Sequence, residues 1–293
     1  MMNDSQLELL LNRKLKRLLL FRTAYLVVIF LAVTLMLFRG WSAAGIVFLA
    51  AALVLYLFVS SRAAEDVNES YREALCARTI GRVLKEYRFE RRGSADAALL
   101  SVLPEGKPEN EKQILCRERS SGTWHSFDVQ VFDTAYAVKQ GGKRVMRTGC
   151  AVAVQRSAAS AGKRQKTGAA GKKTGETGAQ GAFSMQNGTL ALNARGGSAV
   201  PEPSEKNPAV PRLMEIGAGN PSISAAGNGE KVVFLLTDRV IGGMKINTAR
   251  KVRAEVLHLN PLPELERLLS ASELWLRAAE AALPASPGEE ESS

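Results

Sequence analysis

The sequence contains two consecutive apolar stretches, LLLFRTAYLVVIFLAVTLMLF (residues 18–38) and WSAAGIVFLAAALVLYLFVS (residues 41–60), separated only by Arg39 and Gly40. Each has about 20 residues, enough at 1.5 Å per residue for a helix to cross a ~30 Å hydrocarbon core. A soluble domain does not usually contain two such runs in succession. The pattern therefore predicts a transmembrane helical hairpin at residues 18–62.

Basic residues predict the orientation of this hairpin. They concentrate at its two ends, whereas the connection between the apolar stretches contributes one. Because Lys and Arg are retained on the cytoplasmic side, we expect a two-span cell-membrane protein with both termini and the main domain in the cytoplasm. The membrane-flanking residues are Arg13, Lys14, Lys16, Arg17, Arg22, Arg39 and Arg62.

Residues 1–17 form a basic segment in which Leu7, Leu10, Leu11 and Leu15 recur at close to helical spacing. We expect this segment to lie on the membrane surface and to continue into the first span. A cleaved signal peptide is the alternative, although the apolar run is too long and a second span follows at once. Neither span has an Asp, Glu, Lys or His in its middle, so the hairpin is predicted to be an anchor rather than a transport path.

The remainder predicts one α+β domain of about 130 residues, interrupted by an insertion. Its first half, residues 63–155, begins with an amphipathic helix at 63–89. Strands are predicted at 113–117 and 124–138, with a turn at 120–122 between them. A hairpin turn at 140–142 leads to a partner strand at 143–155.

The second half of the domain, residues 230–284, begins with a continuous apolar run at 231–237, typical of a buried central strand. Val252 and Val256 alternate with charged residues and predict another strand. Asn260 and Pro261 open the last helix, whose apolar residues recur at helical spacing. Helices flanking grouped strands predict a mainly antiparallel sheet, and an acidic tail at 285–293 ends the chain.

The insertion at residues 156–229 is rich in Ala, Gly, Ser, Thr and Lys, and we expect it to be mostly disordered, apart from a short strand at Thr189–Asn193. It is predicted to leave and re-enter the domain at a sheet edge. There are two main hypotheses for its basic residues: they belong to a solvated loop, or they contact anionic lipid. The near absence of aromatic residues argues against nucleic acid. Candidate lipid-contact residues are Lys163, Arg164, Lys166, Lys172 and Lys173.

Motifs of known chemistry are absent from the sequence: there is no P-loop, no G-x-G-x-x-G after a strand, no H-E-x-x-H and no G-x-S-x-G. The spacing of the three cysteines predicts reduced thiols rather than disulfides or a zinc site. We therefore predict no cofactor, no metal and no catalytic residue. The cysteines are Cys76, Cys116 and Cys150.

The two histidines, His125 and His258, are expected to be partly buried and hydrogen-bonded. A nucleophile pair formed by Cys150 with His125 stays open, because such partners need only meet in space. Asp128 and Asp133 are expected on opposite faces of a strand, which separates the two carboxylates.

The hairpin, the helix at 63–89 and the strands at 124–155 resemble, in their layout, a group of bacterial membrane proteins of unknown function. In that group a two-helix hairpin anchors a cytoplasmic α+β domain. The resemblance covers about half of the chain, implies a bacterial inner-membrane location and implies no catalytic residues.

The leading hypothesis for function is a non-enzymatic integral membrane protein. Its cytosolic domain binds or scaffolds an unidentified protein partner, and the basic insertion adds contact with anionic lipid. One alternative is a membrane-tethered enzyme with a site assembled across strands. Another is the inverted topology, with the domain facing the envelope.

Overall fold

The chain is described here by a computed structural model, in which it forms two compact units. Unit 1 comprises Met1–Arg78 and Gly242–Asn260, and unit 2 comprises Thr79–Ile241 and Pro261–Ser293. The structure describes residues 4–40, 43–93, 100, 103, 109, 114–157, 182–193, 207–248, 252 and 259–281.

Two long helices dominate unit 1, α1 (Asp4–Arg39) and α2 (Ala43–Val83). At 1.5 Å per residue, α1 is about 54 Å long and α2 about 60 Å long, well beyond the ~30 Å of a hydrocarbon core. Helix α2 continues without a break from the second apolar stretch into the amphipathic region. It ends at Val83, so the prediction of a helix to residue 89 is wrong, and the following residues form a strand.

The two helices share a hydrophobic core at the end that carries the chain's N-terminus. We call this end of unit 1 the base. Side chains from α1, α2 and the segment Gly242–Asn260 meet there. Leu7, Leu11 and Leu15 of the predicted leucine stripe are thus buried in the protein, whereas Leu10 is exposed. The membrane-surface location of residues 1–17 stays a prediction. The core residues are Leu7, Leu11, Leu18, Val67, Tyr71, Leu75, Ile246 and Val252.

Two asparagines hold the returning segment to the base. Asn68 Oδ1 on α2 accepts a hydrogen bond from the backbone N–H of Ile246 at 3.0 Å. Asn12 Oδ1 on α1 accepts one from the backbone N–H of Val252, also at 3.0 Å. Both asparagines satisfy backbone donors that would otherwise lack a partner away from water. Val252 is not in a strand, so the predicted strand fails at this residue, and Val256 lies outside the described residues.

Replacing Asn68 by alanine is expected to release the returning segment. The Ile246 N–H would then be buried without a partner, which costs about 1–3 kcal/mol. We expect faster tryptic cleavage after the exposed Lys245, measured by mass spectrometry of the intact protein during limited proteolysis. Asn68→Asp retains an acceptor oxygen and should cleave at close to the wild-type rate. Equal rates for Asn68→Ala and wild type would contradict this role.

Unit 2 is built on one eight-stranded sheet with the order β1-β2-β3-β4-β8-β7-β5-β6, in which every neighbouring pair is antiparallel. This confirms the α+β class with an antiparallel sheet. The strands are β1 (Lys85–Arg92), β2 (Leu115–Trp124), β3 (Phe127–Gln140), β4 (Lys143–Arg156), β5 (Ala182–Gln186), β6 (Thr189–Asn193), β7 (Ile223–Gly227) and β8 (Lys231–Leu236). The helices are α3 (Ala209–Gly219) and α4 (Leu265–Ala281), and a 3-10 turn spans Ile241–Gly243.

The β3–β4 hairpin is as predicted. Its turn uses Gly141 and Gly142, whose φ angles of +57° and +78° suit a residue without a Cβ. The predicted turn at 120–122 is wrong, because β2 runs through it with only a register irregularity between Arg117 and Ser120. The chain instead reverses after Trp124.

Part of the insertion is ordered, which corrects the prediction of disorder over 156–229. The predicted strand at Thr189–Asn193 is confirmed, and β5, α3 and β7 were not predicted. Strands β4 and β8, which flank the insertion in sequence, lie inside the sheet rather than at an edge. The basic residues at 163–173 and the tail at 285–293 lie outside the described residues.

Helices α3 and α4 cover one face of the sheet. Trp275 of α4 contacts Phe183 of β5 edge to face, with ring centroids 4.6 Å apart. Strand β8 is fully buried from Val232 to Leu236, which confirms the predicted central strand. The predicted stripe of the last helix is confirmed at Leu265, Leu268, Leu269 and Trp275, which are buried, whereas Leu283 lies outside the described residues. The helix α4 begins at Leu265 rather than at Asn260. On the opposite face, Phe132, Tyr136, Ala151 and Leu235 pack with Leu100 and Leu103.

Candidate membrane-embedded surface

A continuous band of large apolar side chains is exposed on α1 and α2. Both helices are long and apolar enough to cross a membrane, and only 6% of the most apolar stretch of each is buried. Apolar patches of this extent are rare on soluble monomers. The band consists of Leu19, Leu20, Leu26, Val27, Val28, Phe30, Leu31, Leu35, Leu37 and Phe38 on α1, and of Ile46, Val47, Phe48, Leu53, Val54, Leu55, Leu57, Phe58 and Val59 on α2.

The length of the band matches the thickness of a bilayer core. From residue 19 to residue 38, α1 rises about 30 Å. Below Leu19, Leu11, Leu15 and Leu18 of α1 are buried in the protein core, whereas Leu9 and Leu10 are exposed. At the other end, α1 finishes at Arg39. The band is therefore bounded on α1 by a basic residue at one end and by a protein core at the other.

The predicted membrane-flanking residues lie at these boundaries. Arg13, Lys16 and Arg17 are exposed on the part of α1 that precedes the band, and Arg62 is exposed on α2 just after it. Lys14, also exposed, donates a hydrogen bond from Nζ to Ser70 Oγ at 2.6 Å, joining α1 to α2. The base thus carries basic residues next to the apolar band, together with the exposed Glu65 and Asp66 of α2, while the side chain of Arg39 lies outside the described residues.

Arg22 is the one predicted flanking residue inside the band, and it is half-buried. Its Nε donates a hydrogen bond to Ser60 Oγ on α2 at 2.7 Å. Its Nη1 is 3.5 Å from Thr248 Oγ1 on the returning segment. Sequence reasoning missed both partners. Thr248 is 226 residues away and no local pattern connects the two.

The next turn of α1 holds an aromatic contact within the hairpin. Tyr25 stacks on Tyr56, with ring centroids 5.1 Å apart, and its hydroxyl donates to the Ala52 carbonyl at 2.9 Å. The hydroxyl therefore has a partner inside the hairpin, and the two helices close on each other at this level.

In unit 2, the residues considered for chemistry are dispersed. His125 stands at the β2–β3 turn with a φ of +50° and is 53% exposed, so it is hydrogen-bonded as expected but not partly buried. Its Nδ1 lies 2.7 Å from Glu273 Oε2, which also accepts from Trp124 Nε1 at 3.1 Å. Arg277 pairs with the other oxygen of Glu273 at 2.5 Å.

Cys150 and His125 are not brought together, which overturns the hypothesis of a nucleophile pair. Cys150 pairs in register with Asp133, whereas His125 lies beyond the pair Phe127–Arg156, six residues further along β4. At about 3.3 Å per residue the separation is roughly 20 Å. Asp133 is also engaged, since its Oδ1 accepts a hydrogen bond from the Ile241 N–H at 2.9 Å.

The three cysteines are free, buried thiols, as predicted. Burial raises the pKa of Cys116 to about 11, so this thiol stays protonated at neutral pH and is a poor nucleophile. Among the described residues, no group of three or more His, Cys, Asp or Glu side chains could hold a metal ion. His258 lies outside that part of the chain.

An open cleft of about 250 Å³ lies between α3 and α4. None of His125, Cys150 or Asp128 lines it, so it does not gather the residues that an enzyme site was expected to use. Its lining carries charges of both signs and consists of Arg212, Glu215, Ile216, Glu266, Arg267 and Ser270.

No protein family, curated protein or solved structure matches the chain. The exposed apolar band and the basic base are the features that bear on function.

Proposed function

We propose that this is a non-enzymatic integral membrane protein, anchored by the hairpin α1–α2, whose unit 2 binds or scaffolds a partner in the cytoplasm. The observation that carries the proposal is the exposed apolar band. Each Leu, Val or Phe side chain in it gains about 1.5–3 kcal/mol on leaving water. A bilayer supplies that environment over the ~30 Å that the band covers.

The basic residues at the base of unit 1 support a cytoplasmic location for both termini and for unit 2. Arg13, Lys14, Lys16 and Arg17 are exposed next to the band, and Arg62 flanks it on α2. Lys and Arg at the end of a span favour the cytoplasmic side. Anionic headgroups on that side would attract this surface, and they would also attract the five basic residues of the insertion at 163–173.

A projecting β-ribbon of unit 2 supports a binding role. Strand β2 pairs with β3 only as far as Ala135, and β8 pairs with β4 only from Cys150 onward. The β3–β4 hairpin therefore extends beyond both neighbouring strands. It exposes Met146, which is 57% accessible, and offers a surface for a partner of acidic character. The basic residues of the ribbon are Lys139 and Arg144, which both pair with Glu109, Arg147, which donates to Gln140, and the exposed Lys143.

A labelling experiment tests the proposed topology. The native cysteines are replaced by alanine, and one reporter is introduced as Lys143→Cys, at the exposed tip of the β-ribbon, or as Ser42→Cys, between the two helices. We expect a membrane-impermeant thiol reagent to label Lys143→Cys only after cell lysis, and to label Ser42→Cys in intact cells. Both variants should stay in the membrane fraction after a carbonate wash.

The opposite labelling pattern would establish the inverted topology and would overturn the cytoplasmic role of unit 2. Release of both variants by carbonate would overturn the anchor itself. A supporting result would direct the search for partners to cytoplasmic proteins, captured by cross-linking from a reporter at position 143.

A further inference from the structure

Arg22 is held in a defined position at the edge of the apolar band. Exposed Leu19 and Leu20 precede it on α1, and exposed Phe58 lies two residues before its partner Ser60 on α2. The 2.7 Å bond to Ser60 is short and orients the guanidinium, whereas the 3.5 Å contact with Thr248 is weak. All three residues belong to unit 1.

The charge of Arg22 lacks an anionic partner within the described part of the chain. Both of its contacts are neutral hydroxyl groups. A guanidinium has five N–H donors, and these contacts use two of them. A cation next to hydrocarbon without a counter-charge is costly, so the geometry favours an anion at the remaining donors.

The surroundings of Arg22 favour a negatively charged ligand. Arg62 is exposed two residues beyond Ser60, and Lys245 is exposed three residues before Thr248. On α1, the exposed Arg17 is about 7 Å below Arg22 along the helix axis. These cations surround the level at which a bilayer's hydrocarbon core would end.

We infer that Arg22, oriented by Ser60 and Thr248, binds the phosphate of an anionic phospholipid. The planar fork of arginine suits two phosphate oxygens, and Lys245 and Arg62 favour a lipid with net negative charge. The inference rests on the proposed membrane anchor and names a ligand for its edge. This lipid site is separate from the proposed lipid contact of the insertion at 163–173, because Arg22, Ser60 and Thr248 all belong to unit 1.

The test uses the full-length protein, purified in a mild detergent, and native mass spectrometry of bound lipid during titration. The probes are phosphatidylglycerol, phosphatidylcholine and inorganic phosphate. We expect wild type to retain phosphatidylglycerol in preference to phosphatidylcholine. Arg22→Gln should bind phosphatidylglycerol about tenfold more weakly, because a charge-assisted bond is lost. The matched control is Arg82→Gln, an exposed arginine in the last turn of α2, about 33 Å from Ser60 along that helix, which should retain wild-type binding.

Ser60→Ala provides a second variant if Arg22→Gln is poorly folded. Its loss of the 2.7 Å bond should weaken phosphatidylglycerol binding several-fold while leaving the charge in place. Equal lipid binding by wild type and Arg22→Gln would overturn the inference. Competition by inorganic phosphate at the same concentration would also overturn it, since the ligand would then be a free anion.

Membrane retention separates this inference from the proposed function. Wild type, Arg22→Gln and Ser60→Ala should all stay in the membrane fraction after a carbonate wash. Retention of all three with unchanged lipid binding would refute the lipid site while leaving the anchor. Release of wild type would refute the anchor, whatever the lipid titration shows.

Discussion

Replacing Leu31 and Leu55 together by aspartate is expected to reduce stable membrane retention. Both side chains are 55% exposed, one in the middle of the band on each helix. An aspartate at the centre of a span costs about 2.5–3.5 kcal/mol, so the pair costs about 5–7 kcal/mol. We expect the variant to move from the carbonate-resistant pellet to the supernatant or to be degraded, as measured by immunoblot of the two fractions.

Leu9→Asp is the matched control for this experiment. Leu9 is 60% exposed on α1, but it precedes the band and lies on the part of the helix that packs in the base. The same change of leucine to aspartate should leave retention intact there. If the double variant stays in the pellet as fully as Leu9→Asp does, the exposed band does not contact hydrocarbon and the proposed anchor fails.

Phe234→Ala is expected to destabilise unit 2 by about 3–5 kcal/mol, a large part of the 5–15 kcal/mol that stabilises a typical domain. Phe234 is fully buried on the central strand β8, between Val152 of β4 and Ala225 of β7 in register. Removing the ring leaves a cavity that the surrounding strands cannot fill. Urea unfolding of the detergent-solubilised protein, followed by tryptophan fluorescence, should show a lower midpoint.

Met146→Ala controls for the loss of an apolar side chain from the same sheet. Met146 is 57% exposed on the β-ribbon, so its removal should change the free energy of unfolding by no more than about 0.5 kcal/mol. An unchanged midpoint for Phe234→Ala would mean that β8 is not the centre of the core. A changed slope would indicate an altered unfolded state instead.

The elements that the sequence predicts best are those specified by local periodicity. The apolar stretches, the β3–β4 hairpin with its two glycines, and the buried run of β8 each carry their signal within a few residues. Predicting these elements requires no knowledge of residues that are distant in the sequence. The end of α2 was misjudged because Tyr87 and Phe89 fit a helical stripe and also fit the alternation of β1.

The ordered part of the insertion was missed because its overall composition outweighed short local signals. Asn187–Gly188 between alternating apolar residues is a strong signal for a two-residue hairpin, and both residues have positive φ. Pro208 and Pro211 lie at the cap and in the first turn of α3. Proline is tolerated there because those N–H groups have no partner within the helix.

The edge site at Arg22 could be predicted only in part. The sequence places Arg22 just inside an apolar stretch, which indicates a headgroup contact. It gives no sign that Ser60 and Thr248 would hold the guanidinium, because Thr248 comes from a segment between a strand and a helix of the other unit. Long-range contacts of this kind leave no periodic pattern in either segment.

The return of the chain to unit 1 imposes an order on biosynthesis. Asn12 is translated 240 residues before Val252, and its side-chain oxygen accepts a hydrogen bond from the Val252 backbone N–H. At roughly 5–20 residues per second, the interval is on the order of 10–50 s. During that time the base of the nascent hairpin lacks its third element. Asn12 and Asn68 have no backbone donor from the returning segment, and Arg22 can contact Ser60 but not Thr248. By then every strand of the sheet has been translated, so the base of unit 1 is completed only after the last strand of unit 2 exists.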